Sequence, residues 1–351
     1  MRYYCSYFDR NYLARGLVLL ESLSRNESQK FIFIVICLDE LTRLLLLKLN
    51  NPSIVVIALH ELERGDQMLV EPRQKRSVVE YYWTLSPTAI QHALDFVPEN
   101  EVLFYLDSDL CFFSDPAPIL SEIDNHSVLI HEHRYAPEFE YLAANSGRFN
   151  VGLLGFRNDV RGRGVLAWWR DRCNEWCFAR FEEGKFGDQM YLDDWPTRFE
   201  GVHVMQHIGG GVAPWNHSAF TFTKFLDIDG GVKLNINSHP FIFFHFHGLV
   251  PLNPRVYLLI KHPSYPLPEL LVTSAYLPYV ARMEFWNNWL RAQISIVRFG
   301  YWPSQQLFPG AALLIRASVN EDLEGVAKIP LSEGWTLLPG TQVRKGKNSL
   351  F

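Results

Sequence analysis

The chain has 351 residues, 48% of them apolar or aromatic and 20% charged, with a net charge of −5. That balance excludes a disordered or fibrous chain and fits one large globular domain with an appendage, or two domains. The acidic excess argues against nucleic acid as a partner, because a polyanion is normally held by a basic face.

Residues 3–7 form a short β-rich opening, and residues 13–23 carry apolar groups at helical spacing. Residues 31–38 (FIFIVICL) are apolar throughout and rich in β-branched and aromatic types, as expected of a strand buried on both faces. A Leu-rich helix is expected over 40–49, a buried strand over 54–59, a helix over 88–96 and another buried strand over 102–106. Solid apolar strands separated by helices predict an α/β fold with a mostly parallel central sheet flanked by helices. In the second half, 128–133, 150–156, 202–206 and 242–246 read as strands, and 164–176 and 186–192 as helices. Pro251, Pro254, Pro263, Pro266 and Pro268 then break the pattern, which places a boundary between a main domain over 1–250 and a C-terminal extension over 251–351. Within the extension, 275–299 is expected to be helical and the tail from Gly300 to consist of short strands and turns. Contact with an acceptor or with a membrane are its two alternative roles.

Cys5, Cys37, Cys111, Cys173 and Cys177 are odd in number, and the first three lie in apolar runs, which reads as buried thiols in a reducing compartment. No further Cys or His pair at zinc-site spacing accompanies Cys173 and Cys177. Arg2, Asp9, Arg10 and Arg15 interrupt any secretory apolar core near the start, and no run reaches the ~20 apolar residues of a spanning helix. The expectation is a cytoplasmic protein, with peripheral contact at the inner membrane left open.

In parallel sheets, ligands bind beyond the carboxyl ends of the strands. Acidic residues follow the first, second and fourth strands here. Asp107 and Asp109 close the run VLFYLDSD. Side chains at i and i+2 of an extended segment point the same way, so the two carboxylates can share one cation. Hard oxygen donors suit Mg²⁺ or Mn²⁺. His245 and His247, in IFFHFHG, stand at the end of an apolar strand before Gly248, and either imidazole could supply a third ligand that favours Mn²⁺. In FGDQM, Asp188 reads first as a helix N-cap, while Gln189 offers both a donor and an acceptor to a sugar. Gly209-Gly210-Gly211 is either a backbone-donor turn for a ligand or a plain flexible turn, and His131-Glu132-His133 reads as a strand lining the cleft. The ten tryptophans, among them Trp83, Trp168, Trp169, Trp195 and Trp215, could stack on sugar faces but are mostly assigned to the core.

Five segments in order, Asp9-Arg10-Asn11-Tyr12, Tyr105-Leu106-Asp107-Ser108-Asp109, Phe149-Asn150-Val151-Gly152, Gly187-Asp188-Gln189 and His245-Phe246-His247-Gly248, resemble the GT-A glycosyltransferases. They are most similar to the family 8 group that contains glycogenin and bacterial lipopolysaccharide galactosyltransferases, and FGDQMYLDDWP and EHRYAP look closer still to bacterial polysaccharide-biosynthesis glycosyltransferases. The resemblance implies a GT-A nucleotide-sugar-binding catalytic domain over 1–250. It implies that Asp9, Asn11 and Tyr12 hold the base, that Asp107, Asp109 and His245 bind Mn²⁺ or Mg²⁺, and that Ser108 and Asp109 lie against the diphosphate. Asn150, Gly187, His247 and Gly248 would face the sugars, with Asp188 and Gln189 beside the anomeric carbon.

Two departures stand out. Leu249-Val250-Pro251 follows Gly248 where the family carries a phosphate-binding Lys, which leaves Arg255 or Lys261 to substitute. Residues 82–87 (YWTLSP) also lack the family's basic residue. The reaction implied is transfer from a nucleotide-diphosphate sugar, UDP-sugar foremost, to a saccharide or lipid-linked acceptor, with retention. Asp188 as nucleophile, Gln189, or no covalent intermediate all remain open. The competing readings are a sugar nucleotidyltransferase, a nucleotide-sugar or glycoside hydrolase, and a non-catalytic carbohydrate-binding protein of the same fold. A nucleotidyltransferase should show a Gly-rich basic loop after the first strand, and Phe8-Asp9-Arg10-Asn11 has no glycine.

Overall fold

A computed structural model describes residues 1–227, 230–254, 256–260, 265, 267–294, 311–316, 329–330 and 335–341. The apolar runs form β1 (Arg2–Phe8), β2 (Phe31–Cys37), β3 (Ile54–Ala58) and β4 (Val102–Leu106), followed by the short β5 (Leu110–Phe112). Next come β6 (Val128–Glu132), β7 (Phe149–Arg157) and β8 (Val202–Val204). The main sheet has the order β3-β2-β1-β4-β7-β6-β8. Within it only β7 runs against its neighbours, β4 and β6. The expected α/β fold, with a mostly parallel central sheet between helices, is what the chain adopts.

Residue alternation divides the core into two layers. Tyr4, Phe33, Val35, Phe104, Leu129 and Leu153 point to one face, where α1 (Leu13–Asn26) and α2 (Glu40–Lys48) pack. Cys5, Ile34, Ile36, Leu103, Tyr105 and Leu154 point to the other. There they meet α3 (Val78–Leu94) through Ala89, Ile90 and Ala93, and α4 (Val160–Glu175) through Val165, Leu166 and Trp169. All five cysteines are buried and free.

Two helices differ from expectation. α3 starts ten residues before the expected residue 88, because Ser77 accepts from Glu80 N while the Glu80 side chain reaches back to Ser77 N, and Pro87 is carried inside the helix. Residues 186–192 are no α-helix: Gly187 takes φ +54°, and only a 3₁₀ turn, Met190–Asp194, follows.

Beyond residue 204, β9 (Phe222–Leu226), β10 (Val232–Ile236) and β11 (His239–Pro240) form a small antiparallel sheet. β12 (Phe243–His245) then pairs antiparallel with β5, with His245 opposite Leu110. The first part of the proline-rich stretch, around Pro251 and Pro254, is paired strand. β13 (Val250–Asn253) and β14 (Val256–Ile260) run through it as an antiparallel pair, and β15 (Ala311–Arg316), β16 (Ile329–Pro330) and β17 (Trp335–Thr341) complete that sheet. The long helix of the extension is α5 (Leu277–Gln293), which packs near α1: Trp286 Nε1 donates to Glu21 Oε2 at 2.8 Å. Arg255 and Lys261, Pro263 and Pro266, and most of the tail from Gly300 lie outside the described residues. Among those described, no helix is long and apolar enough to cross a membrane.

Candidate active site

The end of β4 sets the site. Asp107 N donates to Gly152 O at 2.8 Å, and Asp109 O accepts from Phe246 N at 3.0 Å. The β5–β12 pairing therefore delivers His245 to the acidic pair. Its Nε2 lies 3.1 Å from Asp109 Oδ1 and 3.8 Å from Asp107 Oδ2. One donor atom from each of the three residues falls within 4.8 Å of the others. Two carboxylate oxygens and one imidazole nitrogen suit a divalent cation.

Burial alone would raise the pKa of Asp109, but the His245 imidazole beside it holds the carboxyl below its ordinary value, with His247 and Arg15 adding. Burial and its acidic neighbour raise Asp107, against the pull of His245. For His245 burial is outweighed by Asp109, and its pKa rises.

Gly152 makes the approach of His245 feasible. A Cβ there would sit 2.6 Å from Asn150 Oδ1 and 2.9 Å from His245 Nδ1. Asn150 is committed on both sides, accepting from Gly152 N at 2.8 Å and bonding His133 Nε2 at 3.2 Å.

A cavity of about 710 Å³ opens beside the triad. Asp107, His245, His247 and Gly248 lie at one end, and Gly187, Asp188 and Gln189 also face it, with Asn150 in the wall. Trp83, Tyr135, Phe186, Trp215 and Tyr265 supply an aromatic lining that the sequence reading had left in the core or unassigned. Trp215 stands edge-on to both His245 and His247, with ring centroids 5.4 and 5.5 Å away.

Asp188 is not a helix cap. Its carboxylate accepts from Ser86 Oγ at 2.6 Å, and its carbonyl accepts from Trp169 Nε1 at 2.8 Å. Burial pushes its pKa up to about 7, with Asp107 adding and the Ser86 hydrogen bond opposing. Gln189 Nε2 donates to Ser146 O at 2.6 Å, which leaves its Oε1 as the remaining acceptor. Behind the cavity, the Ser86 hydroxyl is 2.7 Å from that of Tyr7, and the Tyr105 hydroxyl donates to Asp107 Oδ1 at 2.6 Å. The Tyr7 and Tyr105 rings stack with centroids 5.7 Å apart, an arrangement that sets the hydroxyl pair reaching Asp188 beside the hydroxyl that reaches Asp107. No local motif announced it, because its members come from β1, α3 and β4.

Asp9, Asn11, Tyr12, Ser108 and Asp109 do not line that cavity. Asp9 closes its own turn, accepting from Asn11 N and Nδ2, both at 2.9 Å. Tyr12 is 36% exposed, with the Arg15 guanidinium 4.3 Å above its ring. The triglycine turn serves the fold, since Gly209 O accepts from Ile242 N at 2.9 Å and so holds the start of β12. A Cβ on Gly209 would lie 2.0 Å from Pro240 O. His131 and His133 are buried, and burial drives both down to about 3, so they are neutral.

No protein-family model matches the chain. Among solved structures, the galactosyltransferase LgtC in complex with donor and acceptor sugar analogues is 15% identical, with TM-score 0.47 over 84% of this chain and 97% of that one. Mouse xyloside xylosyltransferase 1 is 18% identical, with TM-score 0.39 over 58% of this chain and 85% of that one. The uncharacterized protein YfnD of Bacillus subtilis is 29% identical over 296 residues, 84% of this chain and 92% of YfnD. The uncharacterized protein YfnF of the same organism is 35% identical over 251 residues, 70% of this chain and 80% of YfnF. With that identity over most of both sequences, the chain belongs to the family of Bacillus subtilis YfnF.

Proposed function

We propose that the chain is a metal-dependent GT-A glycosyltransferase that moves a sugar from a nucleotide-diphosphate donor, UDP-sugar foremost, to a saccharide or lipid-linked acceptor. The observation that carries this reading is the Asp107–Asp109–His245 cluster at the carboxyl end of a parallel strand, beside an aromatic-lined cavity holding a second buried carboxyl, Asp188. A hydrolase acting through two carboxyls alone would have no use for an imidazole placed to share a cation with the acidic pair.

Asp107, Asp109 and His245 would hold Mn²⁺ in preference to Mg²⁺, since one donor is nitrogen. When bound, the cation offsets the charge of the departing diphosphate. Asp9, Asn11 and Tyr12 hold the base, and Ser108, between the two acidic ligands in the chain, lies against the diphosphate. Asn150, Gly187, His247 and Gly248 line the sugar side, and the flat faces of Trp83, Tyr135 and Trp215 offer apolar contact to sugar rings. Asp188, poised between its acid and carboxylate forms at neutral pH, faces the anomeric carbon together with the Gln189 carbonyl oxygen. Both are placed to stabilise positive charge developing there. The reaction retains configuration and takes place in the cytoplasm, with its catalytic and binding groups drawn from residues 1–250.

Thermal shift with UDP-sugars, with and without Mn²⁺, tests the reading, because ligands that bind the native state raise its apparent stability. The expected result is stabilisation by UDP-sugar only when Mn²⁺ is present, with release of UDP once an acceptor is added. Asp107→Ala should fold and lose both effects. A folded Asp107→Ala protein with undiminished Mn²⁺-dependent transfer would remove the basis of the proposal.

A further inference from the structure

The lining of the cavity contains no Lys or Arg among the described residues. A cation held by Asp107 and Asp109 is neutralised by its own ligands, so the negative charge of a diphosphate needs a further positive group. Arg15 lies on the first turn of α1, the helix that follows the Asp9–Tyr12 turn, and is only 3% exposed. Burying a guanidinium without a partner is costly. Yet Arg15 forms no salt bridge with any carboxylate among the described residues. Its Nη2 donates to Leu249 O at 2.9 Å, its Nη1 reaches Asn11 O at 3.4 Å, and the group stacks over Tyr12. Two of its five donors are thus used, both on neutral carbonyls. The nearby charge that compensates it is Asp109, which its field helps to keep ionised.

We infer that Arg15 is the fixed positive charge of the donor's diphosphate subsite and the clamp between its two walls. It ties the turn after His245-Phe246-His247-Gly248, at Leu249, to the Asn11–Tyr12 turn across the acidic pair. A diphosphate bridging a metal at Asp107 and Asp109 to a base at Tyr12 passes between the segments that Arg15 joins. A planar fork with unused donors, already desolvated and held by stacking, is suited to phosphate oxygens. The inference rests on the nucleotide-sugar reading above and deepens it by naming the cation for the diphosphate.

Charge and scaffolding predict opposite signs in one experiment. Binding of Mn²⁺ alone, of UDP at saturating Mn²⁺, and of uridine is measured by calorimetry on the full chain, for wild type, Arg15→Met and Arg15→Lys. Loss of the positive charge should weaken UDP binding by roughly tenfold or more, as expected for a charged hydrogen bond. Mn²⁺ alone should bind as tightly or more tightly, because the acidic pair loses a repelling cation. Uridine, which has no phosphate, should be unaffected. Arg15→Lys keeps the charge and should recover most of the UDP affinity, which also serves as the test if Arg15→Met does not fold. A parallel loss of Mn²⁺, UDP and uridine binding would reduce Arg15 to a structural brace, and unchanged UDP affinity in Arg15→Met, or a Lys variant as impaired as the Met variant, would overturn the inference. If wild type binds Mn²⁺ and UDP and only the variants fail the pattern, the function stands and the Arg15 role falls. If wild type binds neither, both fall together.

Discussion

Asp188 is a carboxyl whose surroundings favour its neutral form, and this has a consequence for stability that is independent of catalysis. Its folded pKa is raised to about 7 by burial, whereas an unfolded Asp titrates near ~3.9. Between those values the native state binds a proton that the unfolded state has released, so stability falls as pH rises through the window and the cost is complete above it. About three pKa units correspond to an upper limit of about 4 kcal/mol. Asp188→Asn should therefore match wild type near pH 4 and become the more stable protein by pH 8, while losing transfer activity. Denaturant titrations at both pH values check this, and a stability difference that does not change with pH would contradict it. His245 makes a second residue-scale prediction with the opposite dependence. Asp109 raises its pKa despite burial, so at lower pH a proton competes with the cation for Nε2. Mn²⁺ affinity should climb with pH by up to about tenfold per unit until His245 is neutral, and then level off. Calorimetry in buffers of different ionisation enthalpy should register about one proton released per Mn²⁺ bound below that point. Equal apparent heats in all buffers would show that His245 does not titrate with metal binding.

At the scale of elements, the site depends on a crossing of two short segments: β12 must lie against β5 and close over β7 at Gly152. Gly152→Ala tests that crossing, because the added Cβ would press on both Asn150 Oδ1 and His245 Nδ1. Overpacking of this kind costs ~1–3 kcal/mol. Disturbing the shell behind a ligand lowers metal affinity by roughly 10–100-fold. The variant should lose Mn²⁺ affinity by that order with a smaller loss of stability, and unchanged Mn²⁺ binding would show that His245 is not a ligand. Much of this was legible in the residues. β2, β3 and β4 are solid apolar runs, and the acidic pair and the histidine stand at the ends of such runs, although each could also be read as a solvated turn or a hydrogen-bonded cleft residue. The reversal of β7 was not legible, since direction depends on how the chain crosses over and not on the composition of the strand. Pro87 hid the first half of α3, although the Ser77/Glu80 cap was present to be read. Asp188 read as a cap because the Ser86 that holds its carboxylate is 102 positions away in the chain. Contacts such as Tyr7–Ser86 and Arg15–Leu249 join distant segments, and no periodicity encodes them.

At the scale of the whole molecule, the prolines after residue 250 suggested a boundary, but the packing runs across it. Phe246 lies directly after the metal-ligand candidate His245, and its ring stacks on Tyr279 of α5 at 3.8 Å and 4°. Phe244 and Phe246 both meet Tyr276, and Val18 of α1 and Cys111 of β5 belong to the same buried cluster. Arg282 adds a 2.6 Å ion pair with Glu21 of α1. Exposing Phe244 and Phe246 alone would forfeit about 1.5–3 kcal/mol each. That is a large share of the ~5–15 kcal/mol available to an ordinary domain. The same cluster supports the strand that carries His245, and Phe246 N holds Asp109 O, so stability and metal binding should fail together. A fragment ending at Val250 is expected to aggregate or to melt without a cooperative transition, and to bind Mn²⁺ at least tenfold more weakly than the full chain. Calorimetric melting and Mn²⁺ titration of that fragment decide the matter. A soluble fragment with a sharp transition and full Mn²⁺ affinity would mean that the first 250 residues form a self-sufficient domain and that α5 is a passenger on its surface.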